Sequence, residues 1–124
     1  WEKKLFTRYL LLDEPTSALD IAQQHTVLQI LQQLKDRNIG VLVILHDLNL
    51  AAQYADRVLL LKNGMIEACG PTTDVLTEKT LSKVFDHPVT VMIHPITGRK
   101  IISTDHFYRN PSQNINKAYY GNSI

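Results

Sequence analysis

The chain has 124 residues, of which 44% are hydrophobic and 20% are charged, values that are ordinary for one small globular domain with its own core. Its 13 basic and 12 acidic residues give a net charge of +1, so the charge balance indicates neither a nucleic acid nor an anionic membrane surface as a partner. The single cysteine, Cys69, excludes an internal disulfide, and no apolar run approaches the roughly 20 residues that span a bilayer.

The first predicted element is an apolar run over residues 9–12, which ends in the adjacent carboxylates Asp13 and Glu14. Four large apolar residues without alternation predict a strand buried on both faces, as in the parallel sheets of α/β proteins. The carboxyl ends of such strands border the crevice where ligands bind. Adjacent carboxylates repel each other, and Mg²⁺ carried by a phosphate ligand is the simplest species that compensates them.

An amphipathic helix is predicted next, over residues 21–37, because apolar residues recur there at helical spacing. Asp20 is placed to cap its N-terminus. Gly40 is expected to end it in the left-handed conformation.

A second uninterrupted apolar run covers residues 41–45 and is followed by His46. A helix between two such strands predicts a βαβ unit with parallel strands. Asp13, Glu14 and His46 are therefore expected at the same edge of one sheet.

Shorter elements follow. Asp47 is placed to cap a helix over residues 48–54, and Asn63-Gly64 joins two apolar runs, which predicts a β-hairpin with a type I′ turn. Cys69 is expected to be a buried residue near the end of that hairpin. Two short helices, over residues 71–76 and 78–85, and two strands, over residues 89–93 and 100–103, complete the predicted elements.

Composition divides the chain into three predicted parts. Residues 1–70 carry the parallel unit and the first hairpin, and residues 71–109 form a small appendage of helices and a hairpin. Residues 110–124 are rich in Asn, Ser and Tyr without periodicity, and we expect them to be a poorly ordered tail.

Two motifs resemble those of the ATP-binding subunits of ABC transporters. Residues 10–20, LLLDEPTSALD, look like the Walker B strand and the D-loop, and Leu45-His46-Asp47 looks like the switch histidine. The stretch HDLNLAAQYADR is similar to the subgroup that energises import of iron chelates, haem and cobalamin, and within it residues 54–109 most resemble the bacterial haem importer ATPase. The resemblance covers residues 1–109. It implies an α/β fold that is the C-terminal half of a P-loop ABC nucleotide-binding domain, with a parallel βαβ core, a hairpin and a small α+β appendage.

The resemblance also implies roles for individual residues. Glu14 would orient and deprotonate the attacking water, and His46 would contact the γ-phosphate. Asp13 would hold Mg²⁺ through its water shell. Ser17 and Asp20 would belong to the D-loop, through which two subunits communicate beside the nucleotide. Simpler interpretations stay open, because Asp13 and Glu14 could be solvated acids after a strand and Asp20 could be a helix cap alone.

On the same grounds, the cofactors implied are ATP and Mg²⁺. The partners implied are a second ATPase subunit in a homodimer, membrane permease subunits and, indirectly, a periplasmic binding protein. No nucleic acid partner is implied. The location implied is the cytoplasmic face of the bacterial inner membrane, where the protein would be peripheral.

The sequence departs from the family in what it lacks. It contains no G-x-x-x-x-G-K-[ST] loop, no Q-loop, no LSGGQ-type signature and no aromatic loop that would stack on adenine. We therefore expect a fragment that by itself neither binds ATP tightly nor hydrolyses it. Three alternatives stay open: a cobalamin or siderophore importer ATPase, an ATPase of DNA repair or translation, and a non-catalytic interaction or dimerisation module.

Overall fold

A computed structural model describes residues 8–105 as an α/β protein with three two-stranded sheets. The strands are β1 (Arg8–Asp13), β2 (Ile39–Ile44), β3 (Arg57–Lys62), β4 (Met65–Pro71), β5 (Thr90–Ile93) and β6 (Lys100–Ser103). The helices are α1 (Ile21–Lys35), α2 (Leu48–Tyr54), α3 (Thr72–Val75) and α4 (Glu78–Phe85). The predicted tail over residues 110–124 lies outside the described residues. Among residues 8–105, no helix combines the length and apolarity that crossing a membrane requires.

The predicted βαβ unit is confirmed. Strands β1 and β2 pair in parallel, from Arg8 opposite Ile39 to Asp13 opposite Ile44. Helix α1 connects them, and the carboxylate of Asp20 caps it by accepting a hydrogen bond of 2.8 Å from the backbone N–H of Gln23. A small hydrophobic core lies between this helix and one face of the sheet. Its buried members are Leu28, Leu31 and Leu50, with Leu10, Leu12, Val41 and Val43 among the partly buried side chains around them.

The prediction that β1 and β2 are buried on both faces is wrong for the described residues. Successive side chains of a strand point to opposite faces of the sheet, and α1 covers one face only. The large apolar side chains on the other face are exposed. They are Tyr9 at 78%, Leu11 at 71%, Leu42 at 58% and Ile44 at 51%.

The predicted role of Gly40 is also wrong. Helix α1 ends at Lys35, and the left-handed residue that follows it is Asn38, with φ of 60°. Asparagine tolerates this conformation better than most residues. Gly40 lies inside β2 next to Tyr9, where an added Cβ would be 2.7 Å from the Cδ1 atom of the ring. Close packing against an aromatic ring therefore accounts for this glycine.

Both predicted hairpins are confirmed. Strands β3 and β4 pair antiparallel, and the turn residues Asn63 and Gly64 have φ of 52° and 74°, as a type I′ turn requires. Strands β5 and β6 form the second antiparallel pair. The expected burial of Cys69 is wrong, because Cys69 lies opposite Leu59 on the exposed face of the first hairpin.

A second hydrophobic cluster is built from the two hairpins and the helices between them. Its members are Leu60, Val75, Leu76, Leu81, Val84, Val89 and Ile102. Leu76 and Leu81 have no exposed surface, so the best-protected packing in the described chain lies here. The cluster joins β3 to residues beyond position 70, and the domain boundary after residue 70 stays a prediction.

Candidate functional site

The candidate site lies where β1 and β2 end. Asp13 and Ile44 are the last paired residues, and the backbone N–H of Glu14 donates a 2.9 Å hydrogen bond to the carbonyl oxygen of Ile44. The Oε1 atom of Glu14 contacts the Nε2 atom of His46. The acid pair and the histidine therefore leave the sheet at a common edge, as the parallel arrangement predicts.

The backbone of Glu14 is in a conformation that few residues adopt. Its φ is 48°, in the left-handed region, which costs a residue other than glycine about 1–3 kcal/mol. Hydrogen bonds on both sides offset this cost. The carbonyl oxygen of Glu14 accepts from the Ser17 hydroxyl at 3.2 Å and from the Ser17 N–H at 3.4 Å, in addition to the bond from Glu14 to β2. The chain therefore turns sharply here and directs the Glu14 carboxylate towards His46.

The loop between β1 and α1 is anchored by a residue that the sequence analysis did not select. The side-chain amide of Gln24 donates to the carbonyl oxygens of Thr16 at 3.2 Å and Leu19 at 3.3 Å. Thr16 is only 6% exposed and forms the inner side of the loop. A glutamine four residues after a capping residue can fold back over the N-terminus of its helix, which is the signal that could have identified it.

These residues surround a shallow depression of about 160 Å³. Its lining includes Glu14, Thr16, Ser17, Gln24, His46 and Asp47. Pockets that enclose a small-molecule ligand usually measure roughly 300–1,000 Å³. This depression is therefore too small to enclose a small-molecule ligand.

The side chains of the predicted site residues differ in how far they are exposed. The side chain of His46 is 80% exposed and that of Glu14 is 33% exposed, so the contact between them can be opened by a ligand at little cost. Asp13 and Asp20 are also exposed. Asp20 lies at the start of α1, where it acts as a helix cap.

Asp13 is the residue predicted to hold a metal ion. Among residues 8–105, no three His, Cys, Asp or Glu side chains cluster as a metal site of their own. Mg²⁺ is commonly bound by one or two carboxylates together with waters and substrate phosphates. The exposed carboxylate of Asp13 at this edge fits that arrangement.

Comparison with known proteins identifies relatives of the chain, although no protein-family model matches it. The hemin import ATP-binding protein of Plesiomonas shigelloides is 52% identical over 96 residues, which are 77% of this chain and 37% of that protein. The hemin import ATP-binding protein of Rhodococcus jostii (strain RHA1) is 47% identical over 96 residues, or 77% of this chain and 33% of that protein. The chain therefore spans about a third of the length of the curated relatives that it matches.

A solved structure agrees with the sequence relatives. A metal-chelate type ABC transporter in an inward-facing conformation matches with a TM-score of 0.72 and 29% identity, over 80% of this chain and 41% of that chain. The α/β arrangement described above is therefore part of the fold of an ABC transporter ATPase domain. Over 77% of its length, the chain is therefore similar to the ATP-binding proteins of bacterial hemin import, and its fold matches part of an ABC transporter.

Proposed function

We propose that this chain supplies the hydrolytic edge of an ATPase that drives import through a membrane permease. The observation that carries the proposal is the contact between Glu14 and His46 at the shared ends of β1 and β2. Hydrolysis of ATP requires a water aligned on the γ-phosphorus, an acceptor for its proton and stabilisation of the charge on the phosphate oxygens. A carboxylate can accept the proton, and an imidazole beside it can stabilise the charge on the phosphate oxygens.

Each residue has a distinct role in this proposal. Glu14 accepts the proton of the attacking water, and its carboxylate lies beside His46. His46 donates a hydrogen bond to a γ-phosphate oxygen once the nucleotide separates it from Glu14. Asp13 would hold Mg²⁺ through water, and the ion would supply positive charge that neutralises the phosphates. Ser17 and Asp20, in the loop after Glu14, face the second ATPase subunit of a homodimer.

In this proposal, most of the contacts that bind the nucleotide come from segments that this sequence does not contain. The sequence has no glycine-rich phosphate loop, and the depression of about 160 Å³ is smaller than an enclosing ligand pocket. Backbone N–H groups of such a loop, its lysine and a signature motif from the partner subunit would complete the site. The 124-residue chain alone therefore provides too few contacts to hold ATP.

Calorimetry of the 124-residue chain with Mg-ATP tests whether the chain alone can bind the nucleotide. We expect no heat of binding at micromolar nucleotide, because a few exposed carboxylates repel the phosphates when no cradle compensates them. The same titration with the Plesiomonas shigelloides relative serves as the positive control. Micromolar binding by the chain alone would contradict the proposed division of the site.

A hybrid protein tests the role of Glu14. In it, the 96 matched residues of the Plesiomonas shigelloides relative are replaced by those of this chain. We expect Glu14→Gln to lower kcat for ATP hydrolysis by roughly 100-fold or more while ATP binding is retained, since an amide cannot accept the proton. Asp36→Asn, an exposed acid just after the other end of α1, is the matched control and should leave kcat unchanged. Undiminished hydrolysis by Glu14→Gln would show that the role proposed for Glu14 is wrong.

Asp20 is proposed to act both as a helix cap and as a contact between subunits. In the 124-residue chain, Asp20→Ala should lower the free energy of unfolding by about 1 kcal/mol, whereas Asp20→Asn should keep the cap and the stability. In the hybrid, Asp20→Asn should still lower kcat by at least about fivefold, the lower end of typical coupling between sites. Urea unfolding and steady-state ATPase assays measure the two effects. Wild-type activity of Asp20→Asn would leave capping as its role.

The cargo proposed is hemin, because the sequence relatives at about 50% identity are named for hemin import. A second candidate is another metal chelate, such as a siderophore or cobalamin, which the metal-chelate type transporter among the solved structures favours. The whole importer would include permease subunits, receive cargo from a periplasmic binding protein and carry its ATPases on the cytoplasmic face of the inner membrane.

Uptake by living cells distinguishes the two cargoes. The hybrid should restore hemin-dependent growth to cells that lack the Plesiomonas shigelloides relative, and its Glu14→Gln variant should not. Restored growth on another chelate, but not on hemin, would support the second candidate. An active ATPase that restores neither would point to a function outside import, as in DNA repair or translation.

A further inference from the structure

Helix α2, which begins directly after the loop that carries His46, is shared by the two hydrophobic clusters. Leu48 and Ala52, which are four residues apart, pack against the cluster formed by the two hairpins. Leu50 and Tyr54 lie on the other side of the helix and belong to the cluster between α1 and the parallel sheet. The position of α2 therefore depends on both halves of the described chain.

The side chain of Asn49, in α2, forms hydrogen bonds with a residue that lies 53 positions later in the sequence. The amide nitrogen of the Asn49 side chain donates to the carbonyl oxygen of Ile102 at 3.0 Å, and its Oδ1 atom accepts from the N–H of Ile102 at 2.8 Å. Both backbone groups of one residue in β6 are thus satisfied by one side chain, as a neighbouring strand would satisfy them. Ile102 is 6% exposed, so the connection ends in the packed interior of the second cluster.

The same residue is also bonded to the loop of the candidate site. The backbone N–H groups of Asn49 and Leu50 donate to the Asp47 carboxylate at 2.9 and 3.1 Å. Asp47 directly follows His46, whose imidazole contacts Glu14. A continuous series of hydrogen bonds and one peptide link therefore runs from β6 through Asn49 and Asp47 to His46.

We propose that Asn49 is a positioning residue for ATP hydrolysis, because it fixes α2 to β6 and so holds His46 at the edge beside Glu14. This inference rests on the proposed ATPase function. It implies that the β5–β6 hairpin contributes to hydrolysis by holding α2. His46 is 80% exposed and has few contacts of its own to hold it. Its position must therefore come from the backbone on either side, which is β2 before it and the capped start of α2 after it.

Two variants separate positioning from stability. Asn49→Ala removes both bonds to Ile102. Ser82→Ala is the control, because the Ser82 hydroxyl accepts a 3.0 Å hydrogen bond from the N–H of Val89, beside the same hydrophobic cluster but outside the series of hydrogen bonds that leads to His46. Each lost bond should lower the melting temperature, and the two variants are compared at temperatures where both are folded.

In the hybrid protein, we expect Asn49→Ala to lower kcat roughly ten- to a hundredfold with KM for ATP within twofold of wild type, since small displacements of catalytic groups have effects of this size. Ser82→Ala should keep wild-type kcat. If Asn49→Ala does not fold, Asn49→Ser is measured in its place, because a single hydroxyl can reach only one of the two groups of Ile102. Unchanged kcat in the Asn49 variant, or equal losses in both variants, would overturn the inference.

Nuclear magnetic resonance of the 124-residue chain tests the same inference without catalysis. The imidazole chemical shifts of His46 should move in Asn49→Ala and stay unchanged in Ser82→Ala. Unmoved His46 shifts in both would contradict the role of Asn49 and leave the proposed function untouched. Hydrolysis that survives Glu14→Gln would instead defeat the proposed function, whatever the His46 shifts show.

Discussion

The candidate site depends on the parallel pairing of β1 and β2. Because the two strands run in the same direction and end in register, at Asp13 opposite Ile44, the residues that follow them emerge side by side. An antiparallel pair would place Glu14 and His46 at opposite edges of the sheet. The helix that makes the parallel connection possible also covers one face of the sheet and supplies Gln24 to the loop beside the site. One βαβ unit thus brings the acid and the histidine together.

Local patterns in the sequence predicted most of this arrangement. Apolar runs located the strands, Asn-Gly located the first hairpin, and Asp20 and Asp47 were correctly predicted as helix caps because a cap acts within three residues of its own position. The edge shared by Glu14 and His46 followed from the strand–helix–strand order. Their chemical roles came from resemblance to a family and stay proposals.

The features that sequence reasoning missed depend on contacts between distant segments. An apolar run does not reveal how many layers cover it, so the exposed face of β1 and β2 could not be seen from its composition. Gly40 was assigned to a helix end because the close approach of Tyr9 has no local signal. The bond between Asn49 and Ile102 crosses 53 residues, and asparagine two positions after a helix cap is not unusual in itself.

The most deeply buried residues and the residues of the candidate site lie in different parts of the described chain. Leu76 and Leu81, which have no exposed surface, lie in the cluster of the hairpins, whereas His46 and Asp13 are exposed at the edge of a thin sheet. A ligand must reach that edge, so the site cannot be protected by burial. Helix α2 connects the two parts, because it starts at the candidate site and packs against the cluster of the hairpins. In the proposed arrangement, the cluster of the hairpins holds the candidate edge in place from a distance and leaves it open to solvent.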